Sequence, residues 1–533
     1  MVRCYQKPKK EGIVNIDSGI LQFVKKGQYY EGADEQLQKI QGMWNELFKY
    51  DRLLFGLVTL LNGTGYSKGM MSHMMLSNPL TTDKITTELA PYGLSNLFES
   101  RMILFNLSRE RTPRALKNLL FLTGEEGRKR VNNSRGKKVI LDYIFNRDQR
   151  SLDWLAVKYK KKVARLVRHA LGWQDLYEVL NGNIKTFNKY IGRYSDSDVA
   201  YPVIFHLFNK PIPTSNYHYP GIEAYRKVRE ASSKWDLPTF REFMGSLPHE
   251  VALGFRNLYK LDIPLNEIME KAKMSDRQKL QMESAAKRVG AEVKVDYKSQ
   301  DIYDLWKSFY FKINSQEFDN LSDIVKAIST KKVDKIDLGE CVVVFDVSHS
   351  MAGSGERKLH PFLTGLSIIS ALDNIMLVVY VGGKKLEFPP GKEPLIQSEE
   401  GKYKELKHAI VPSGATSLWR GLVEAVLMKP KTIVVISDGY ENSIKGMFNH
   451  VYRHFKDLGL DFNLIHINPV FAADARTGTT RRIAEDVKPL AVNDYKFLET
   501  EVVFSQMIEN REAVKTLLLN KYQKMIGGSN GHI

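Results

Sequence analysis

Five oxygen-bearing side chains stand at predicted strand ends or helix starts in the second half of the sequence. In "CVVVFDVSHS", an apolar run ends at Asp346, and Ser348 and Ser350 follow at alternate positions. Thr416 lies in "PSGATSLWRGL", just before a predicted helix, and Asp438 ends the apolar run "VVISD". Open α/β sheets bind ligands at the carboxyl ends of their strands. We therefore expect these five side chains to converge on one point.

This set of side chains favours a hard metal ion. It contains two carboxylates and three hydroxyls and no imidazole or thiolate, which argues against zinc. Divalent cations such as Mg²⁺ prefer such oxygen ligands, with water or a partner's carboxylate completing the octahedron. The sequence therefore predicts a divalent cation, with Mg²⁺ favoured. The alternative is that the strand-ending acid only caps the amides of its own loop.

Two catalytic or metal-binding alternatives involve histidines. Ser348, His349 and Ser350 are adjacent, as in a hydrolase, but neighbours on an extended segment point to opposite sides. No G-x-S-x-G elbow is present either. His450 and His454 are one helical turn apart but lack the glutamate of H-E-x-x-H, so a solvated helix face is favoured over a metal site.

The elements around the oxygen cluster alternate between strands and helices after about residue 335. Short apolar runs such as "CVVVFDVS", "NIMLVVYVGG", "KTIVVISDG" and "DFNLIHIN" alternate with helical patterns such as "TSLWRGLVEAVLM". Strands that are apolar on both faces indicate a mostly parallel sheet covered by helices. We expect this doubly wound α/β domain to span residues 338–533.

The first part of the chain reads as consecutive helices. Apolar residues recur at three- and four-residue spacing in "TPRALKNLLFL", "KKVILDYIF" and "HEVALGFRNLY", and breakers such as "NNSRG" separate the patterns. Stacked helical hairpins would bury such amphipathic faces on one another. We expect an α-helical repeat domain over residues 1–337, although no clean sequence period supports the repeat.

Positive charge is concentrated in the helical part. The chain carries a formal net charge of +17, of which residues 1–337 hold +16 and residues 338–533 only +1. Between residues 128 and 168, 14 Lys and Arg face three acids. Such a distribution indicates a polyanionic partner for the helical part.

At helical spacing, the segment "LDWLAVKYKKKVARLVRHALG" separates its basic residues from its apolar residues. Its basic residues share one face, and Val163, Leu166, Val167 and Ala170 are left for burial. Like charges at this spacing are mildly unfavourable, and a phosphate backbone would offset the repulsion. The plain alternative is a solvated basic face. The predicted RNA-binding residues are Arg135, Lys137, Lys138, Lys158, Lys160, Lys161, Lys162, Arg165, Arg168 and His169.

The oxygen cluster and the domain order both resemble known families. The pattern D-x-S-x-S, followed by a Thr and then an Asp at a strand end, resembles the metal-ion-dependent adhesion site (MIDAS) of von Willebrand factor A domains. A basic helical region followed by such a domain resembles the Ro autoantigen family, whose N-terminal module is called TROVE. "LQFVKKGQYYEGADEQL", "LAVKYKKKVARLVRHALG" and "LPHEVALGFRNL" resemble stretches of that family.

The Ro resemblance implies a fold and a set of partners. Members form a ring of HEAT-like helical repeats that the A domain closes, so a monomeric ring is expected. They bind small non-coding Y RNAs on an outer basic surface and thread single-stranded ends of misfolded RNA through the hole. Lys158, Lys162 and His169 match family RNA contacts. An exoribonuclease, or an acidic protein at the metal site, is a further expected partner.

The sequence thus favours a non-catalytic RNA-binding scaffold for RNA quality control or stress response. The alternative is a metal-dependent protein-interaction scaffold without an RNA ligand. An RNA-processing enzyme is disfavoured because no paired nuclease carboxylates or phosphate-binding G-x-x-x-x-G-K-[ST] loop is present. The two cysteines, Cys4 and Cys341, are not expected to pair, which fits a reducing cytoplasm. No apolar run approaches the length of a membrane span, and no secretory signal is expected.

Overall fold

The computed structural model divides the chain into two compact units. It describes residues 42, 44–61, 63, 65–78, 80–124, 129–192, 197–212, 218–318, 320–353, 358–397, 403–469 and 481–528. The sheet unit comprises Met1–Leu47, Leu61–Gly63 and Tyr297–Val514, and the helical unit comprises Phe48–Leu60, Thr64–Asp296 and Lys515–Ile533. Cys4 and the predicted family stretch near residue 30 lie outside the described residues.

The described part of the helical unit is built from α-helices and short helical turns. The helices are α1 (Arg52–Val58), α2 (Gly65–Ser77), α3 (Phe98–Arg109), α4 (Thr112–Leu120), α5 (Ser134–Phe145), α6 (Gln149–Lys158), α7 (Lys160–Leu171), α8 (Trp173–Leu180), α9 (Ile184–Tyr190), α10 (Ser197–Leu207), α11 (Pro220–Ser233), α12 (Leu237–Phe243), α13 (His249–Tyr259), α14 (Leu265–Lys271) and α15 (Asp276–Arg288). A short turn, Thr82–Lys84, runs into the π-helix Ile85–Leu89 and the 3₁₀ turn Ala90–Tyr92.

Local sequence explains where these helices begin. The Asn133 side chain accepts a hydrogen bond from the Gly136 amide at 2.9 Å, and Asp148 accepts one from the Ser151 amide at 2.9 Å. Such caps satisfy amides that have no partner inside the helix. In α7 the apolar stripe is fully buried, since Val163, Leu166, Val167 and Ala170 are each 0% exposed. The burial predicted from helical spacing is therefore confirmed.

The sheet unit contains the described strands and further helices. The strands are β1 (Cys341–Asp346), β2 (Ile375–Val381), β3 (Lys384–Glu387), β4 (Leu395–Gln397), β5 (Tyr403–Glu405), β6 (His408–Val411), β7 (Thr432–Ile436), β8 (Asn463–Asn468) and β9 (Leu490–Ala491). The helices are α16 (Ile302–Asn314), α17 (Leu321–Thr330), α18 (His360–Ala371), α19 (Leu418–Leu427), α20 (Met447–Asp457) and α21 (Leu498–Glu509), and the last helix, α22 (Arg511–Gly528), begins in this unit.

The main sheet is parallel and has the strand order β2-β1-β7-β8-β9 within the described residues. In the register, Val343 of β1 lies opposite Val378 of β2 and Val434 of β7. Alternate residues of β1 face opposite sides: Val344 packs in one cluster with Leu418 of α19, whereas Phe345 stacks on Phe362 of α18 at 5.6 Å. Helices therefore cover both faces of the sheet, which explains why β1 and β7 are apolar throughout. The shorter pairs β3-β6 and β4-β5 are antiparallel.

The boundaries of the compact units differ from the division expected between residues 337 and 338. Helix α16 belongs to the sheet unit, where Tyr303 bonds His360 of α18 at 2.7 Å and the Trp306 indole donates to Ser370 at 3.3 Å. Residues 515–533 belong to the helical unit, where Tyr522 packs edge-on against Phe98 at 5.1 Å. The physical reason is that each of these helices buries its apolar face in the core of the unit against which it packs.

The coarse fold prediction is confirmed: the described chain is mostly helical and carries a parallel five-stranded sheet in its later part. The HEAT-like ring and the identity of the α/β domain stay predictions. Among the described helices, none is both long and apolar enough to cross a membrane.

Candidate metal centre and nucleic-acid interface

The end of β1 fixes Asp346 in a buried hydrogen-bond frame. Its Oδ1 accepts a bond from the Ser348 amide at 2.9 Å, and its Oδ2 accepts one from the Ser437 hydroxyl at 2.7 Å. The carboxylate thereby turns its own loop and anchors the neighbouring strand end. Ser437 precedes Asp438 at the end of β7, so the two strand ends are joined directly.

Backbone hydrogen bonds bring the loop of Thr416 to the same edge of the sheet. The His349 amide donates to the Gly414 carbonyl at 3.1 Å, and the Ser413 amide donates to the Val347 carbonyl at 2.9 Å. On the other side, the Ser443 amide donates to the Thr416 carbonyl at 3.2 Å. The three sequence segments predicted to converge are therefore linked to one another.

The hydroxyls and the second carboxylate continue this network. Ser348 Oγ and Ser350 Oγ are 3.0 Å apart, and the Ser350 side chain bonds the Asp438 carboxyl group. Asp438 Oδ1 accepts a hydrogen bond from the Tyr440 amide at 2.9 Å. Thr416 Oγ1 is buried and has no hydrogen-bond partner within the described part of the chain.

Burial dominates the electrostatics of both carboxyl groups. It raises the pKa of Asp346 to about 6, hydrogen bonds from Ser437 and Ser348 oppose this rise, and the charge of Asp438 adds to it. Burial likewise raises the pKa of Asp438, against the hydrogen bond from Ser350 and the charge of Arg481. Two neighbouring acids in a poorly solvated site disfavour their own ionised forms.

The residues present fit a hard divalent cation. All the candidate metal ligands are side-chain oxygens, from two carboxylates and three hydroxyls. The buried Thr416 hydroxyl, which has no hydrogen-bond partner among the described residues, is a polar atom that a cation would satisfy. The described chain contains no group of three or more His, Cys, Asp and Glu side chains arranged to hold a metal. The candidate metal centre contains only two carboxylates, Asp346 and Asp438, because its other three oxygen atoms would come from hydroxyls. The metal itself stays a prediction.

Two residues of this site were missed by the sequence analysis. Ser437 bonds Asp346 directly, and its position beside a strand-ending acid was the available signal. Gly382 follows β2 with φ +80°, and an added Cβ would lie 3.3 Å from the Ser348 amide nitrogen. The pair "GG" directly after an apolar strand signals such a close approach of two backbones.

The histidine-based alternatives gain no support from the geometry. His349 is exposed while Ser348 is fully buried, and no described hydrogen bond joins that imidazole to either serine hydroxyl. His450 and His454 are both exposed on α20.

The nucleic-acid candidates lie on α7 and its neighbours in the helical unit. We define the basic face as Lys161, Lys162 and Arg165, which are exposed, with half-buried Arg168 at its end. These four residues lie opposite the buried apolar stripe of α7. Lys137 and Lys138 of α5 are half-buried, and Lys160 is half-buried at the first position of α7.

Lys158 and Arg135 are already engaged within the protein. Tyr159 interrupts the helix between α6 and α7, so Lys158 ends one helix and does not continue the face of the next. Lys158 Nζ pairs with Glu250 at 3.0 Å. Arg135 Nη1 pairs with buried Glu99 at 3.1 Å. A carboxylate therefore already balances the charge on each of these two residues.

His169 does not belong to the exposed face on which the sequence analysis placed it. It is 5% exposed, and its Nε2 lies 2.9 Å from the Val131 carbonyl while Arg130 Nε donates to its Nδ1 at 3.0 Å. Burial lowers the pKa of His169, and the charge of Arg130 adds to that lowering. The helical spacing put His169 beside Arg168, but its ring faces the loop before α5.

Two exposed aromatics next to the basic face were also missed. Trp173 and Tyr177 are one turn apart on α8 and are 71% and 70% exposed. The Arg168 guanidinium lies over the Trp173 ring at 4.8 Å. Bases of single-stranded nucleic acids stack on such rings. The signal in the sequence was "WQDLY" directly after the basic helix.

Comparisons with known proteins give a likeness to solved structures, and none to family models or curated sequences. No family model matches the sequence, and no curated protein matches it. Among solved structures, the chain is similar to the crystal structure of the Deinococcus radiodurans RO (RSR) protein, with 13% sequence identity and a TM-score of 0.48. The alignment covers 92% of this chain and 99% of that chain.

Proposed function

We propose that this chain is a non-catalytic RNA-binding scaffold of the Ro type. The observation that carries the proposal is the basic face of α7, whose Arg168 lies over the exposed ring of Trp173, one turn from the exposed Tyr177 on α8. The sequence resemblance to the Ro family and the concentration of charge in residues 1–337 support it.

The physical basis is that the two groups of side chains recognise different parts of RNA. Lysine and arginine neutralise phosphates and release counterions, which gives affinity that depends strongly on salt. Aromatic rings stack on bases of any sequence. A structured Y-like RNA with unpaired nucleotides would engage both groups at once.

The finer parts of the proposal come from the family resemblance. The TROVE-like helical repeats would form a ring, closed within one chain, that passes single-stranded ends of misfolded RNA. An exoribonuclease recruited to the scaffold would perform any cleavage. The protein would serve RNA quality control or a stress response in the cytoplasm.

The test compares RNA that copurifies with the wild type and with a Lys161→Gln/Lys162→Gln/Arg165→Gln variant. Lys158 is left unchanged because it already pairs with Glu250 at 3.0 Å. We expect one abundant small RNA with the wild type and its loss in the variant. For single-stranded RNA, the slope of log K against log salt should fall by about 2, at ~0.7 for each lost phosphate contact.

A matched control removes the same charge from the other unit. Lys326, Lys332 and Lys429 are exposed there, and the Lys326→Gln/Lys332→Gln/Lys429→Gln variant should retain the RNA. Equal loss in both triple variants would show a general charge effect and contradict a specific interface. Absence of RNA from the wild type, together with no salt-dependent affinity, would overturn the proposal.

A second candidate function uses the metal centre. The buried Thr416 hydroxyl has no hydrogen-bond partner among the described residues, and its loop meets the sheet edge that carries two buried carboxylates. This arrangement favours a divalent cation, Mg²⁺ in the first instance, held by Asp346, Ser348, Ser350, Thr416 and Asp438. In such a site the cation would capture a carboxylate of a protein partner. A partner that elutes with EDTA from a protein free of RNA would favour this metal-dependent interaction scaffold.

A further inference from the structure

Directly before the basic face in the chain, Lys160 shares a single neutral partner atom with a second cation. Lys160 Nζ lies 2.8 Å from Asn209 Oδ1, and Arg229 Nη1 lies 2.9 Å from the same oxygen. One amide oxygen provides no charge to balance two cations. In the described residues no carboxylate pairs with either of them.

The side chains around this pair add further positive charge or none. Arg226, one turn before Arg229 on α11, is exposed, and its charge lowers the pKa of Lys160. Tyr225 places its ring 4.6 Å below Lys160 Nζ. The buried His206 ring packs edge-on against Tyr225 at 5.0 Å, and burial first, then Lys160 and Arg226, lower the pKa of His206 to about 3. This histidine is therefore neutral at pH 7 and adds no charge to the site.

The acids of α11 face other partners. Glu223 lies 3.5 Å from the His218 ring, and Glu230 pairs with Lys234 at 2.7 Å. From α6, the Ala156 backbone makes a hydrogen bond with His206. Helices α7, α10 and α11, together with Asn209 just after α10, therefore present cationic and neutral groups to this point.

We propose that Lys160, Asn209, Arg226 and Arg229 form a phosphate-binding site that takes a phosphate group of the RNA chain. That the phosphate belongs to RNA depends on the proposed RNA-binding function, whereas the site itself is inferred from the paired cations. Lys160 and Arg229, which share one amide oxygen, and Arg226, whose charge acts on Lys160, would gain by exchanging their mutual repulsion for charge-assisted hydrogen bonds to a phosphate. None of Asn209, Arg226 and Arg229 was predicted from the sequence.

The site has a pH signature that an ordinary surface lysine lacks. Burial, with Arg229 and Arg226 adding to it, lowers the pKa of Lys160 to about 8. A bound anion favours the protonated amine, so affinity is greatest below pH 8 and falls as the pH rises through it. If only the protonated form binds, the dissociation constant should rise about tenfold between pH 7 and pH 9.

The experiment titrates full-length protein with a ten-nucleotide oligoadenylate, with AMP and with inorganic phosphate at pH 7 and pH 9. Adenine and the phosphodiester do not titrate in this interval, so the oligoadenylate reports Lys160. For wild type we expect the tenfold loss of oligoadenylate affinity. Lys160→Met should weaken binding at pH 7 by at least tenfold and abolish the pH dependence. Arg229→Gln should also weaken binding.

Lys161→Met is the matched control because it removes the same charge from the next residue and keeps Lys160. It should retain the fall in affinity between pH 7 and pH 9. Loss of the pH dependence in both lysine variants would contradict the assignment, as would unchanged binding in Lys160→Met. Circular dichroism of each variant establishes that it is folded.

The three probes separate this site from the proposed function. If oligoadenylate binds through the basic face but Lys160→Met changes nothing, the site is wrong and the RNA function stands. If no RNA binds but AMP or phosphate binds with Lys160 dependence, the site stands with a free phosphate as its source, and the RNA function fails. If no probe depends on Lys160, the site is overturned.

Discussion

At the scale of single residues, the Thr416 hydroxyl distinguishes a metal site from a loop in which the strand-ending acid only caps amides. Its hydroxyl is buried without a partner in the described chain. A buried unsatisfied hydroxyl costs about 1–3 kcal/mol of stability. An unsatisfied hydroxyl at the sheet edge that carries Asp346 and Asp438 is consistent with a ligand that bonds to this hydroxyl.

We predict opposite effects of Thr416→Val with and without metal. In the presence of EDTA the variant should be as stable as the wild type or more stable, by up to about 1–2 kcal/mol, because the orphaned hydroxyl is gone. With millimolar Mg²⁺ or Mn²⁺ the wild type should gain melting temperature through ligand binding, and the variant should gain much less. Thermal unfolding over a metal titration measures both effects.

Thr364 provides the matched control. It is also fully buried in the sheet unit, with a hydroxyl that has no partner among the described residues. Thr364→Val should remove the same kind of unsatisfied group and keep the full response to metal. An identical loss of the metal response in both variants, or no metal response in the wild type, would refute the role given to Thr416.

At the scale of elements, one buried ion triad joins three helices of the helical unit. Arg52 of α1 donates to Glu99 of α3 at 2.6 Å and 3.0 Å, and Arg135 of α5 reaches the same carboxylate at 3.1 Å. Arg52 also donates to the carbonyls that end α2, those of Met75 and Asn78. Removing one member would leave a buried charge without its partner.

Glu99→Ala should therefore lower the free energy of unfolding of the helical unit by about 3–5 kcal/mol. Urea unfolding followed by circular dichroism measures the loss. Glu230→Ala removes an acid from an exposed pair and should have little effect. Arg52→Met/Glu99→Leu should recover part of the stability, since it removes the two most buried charges together and leaves only the more exposed Arg135 without its carboxylate. A small effect of Glu99→Ala would contradict the role of this triad.

The elements themselves could be predicted from periodicity, but several side-chain environments could not. The spacing in α7 identified its buried stripe, and the apolar runs identified β1, β7 and β8. The break at Tyr159 could not be foreseen, because the spacing of apolar residues continues through it. Nor could the burial of His169, whose partners Val131 and Arg130 lie on a distant segment.

The candidate metal centre shows the same division. The residue types and the strand ends predicted Asp346 and its four companions, because parallel strands end at one edge of a sheet. Ser437 and Gly382 were not predicted, since their roles depend on contacts across the sheet. Sequence spacing specifies which residues reach an edge, and tertiary contacts specify how they are held there.

At the scale of the whole molecule, the distribution of charge could be predicted from the sequence, but the division of the chain into compact units could not. The excess of basic residues in the first part could be counted from the sequence. The assignment of residues 297–337 to the sheet unit and of residues 515–533 to the helical unit could not. An amphipathic pattern shows that a helix has a face to bury, but it does not show which core receives that face.

The two compact units should produce two unfolding transitions in calorimetry of the full-length protein, because each has its own buried core. Glu99→Ala should lower the transition of the helical unit, since all three charged partners belong to it. Mg²⁺ should raise only the other transition, since the five oxygen-bearing residues belong to the sheet unit, and Thr416→Val should reduce that rise. A single transition that responds equally to the substitution and to the metal would show that the chain unfolds as one cooperative body. That outcome would contradict the division into two independently stable units.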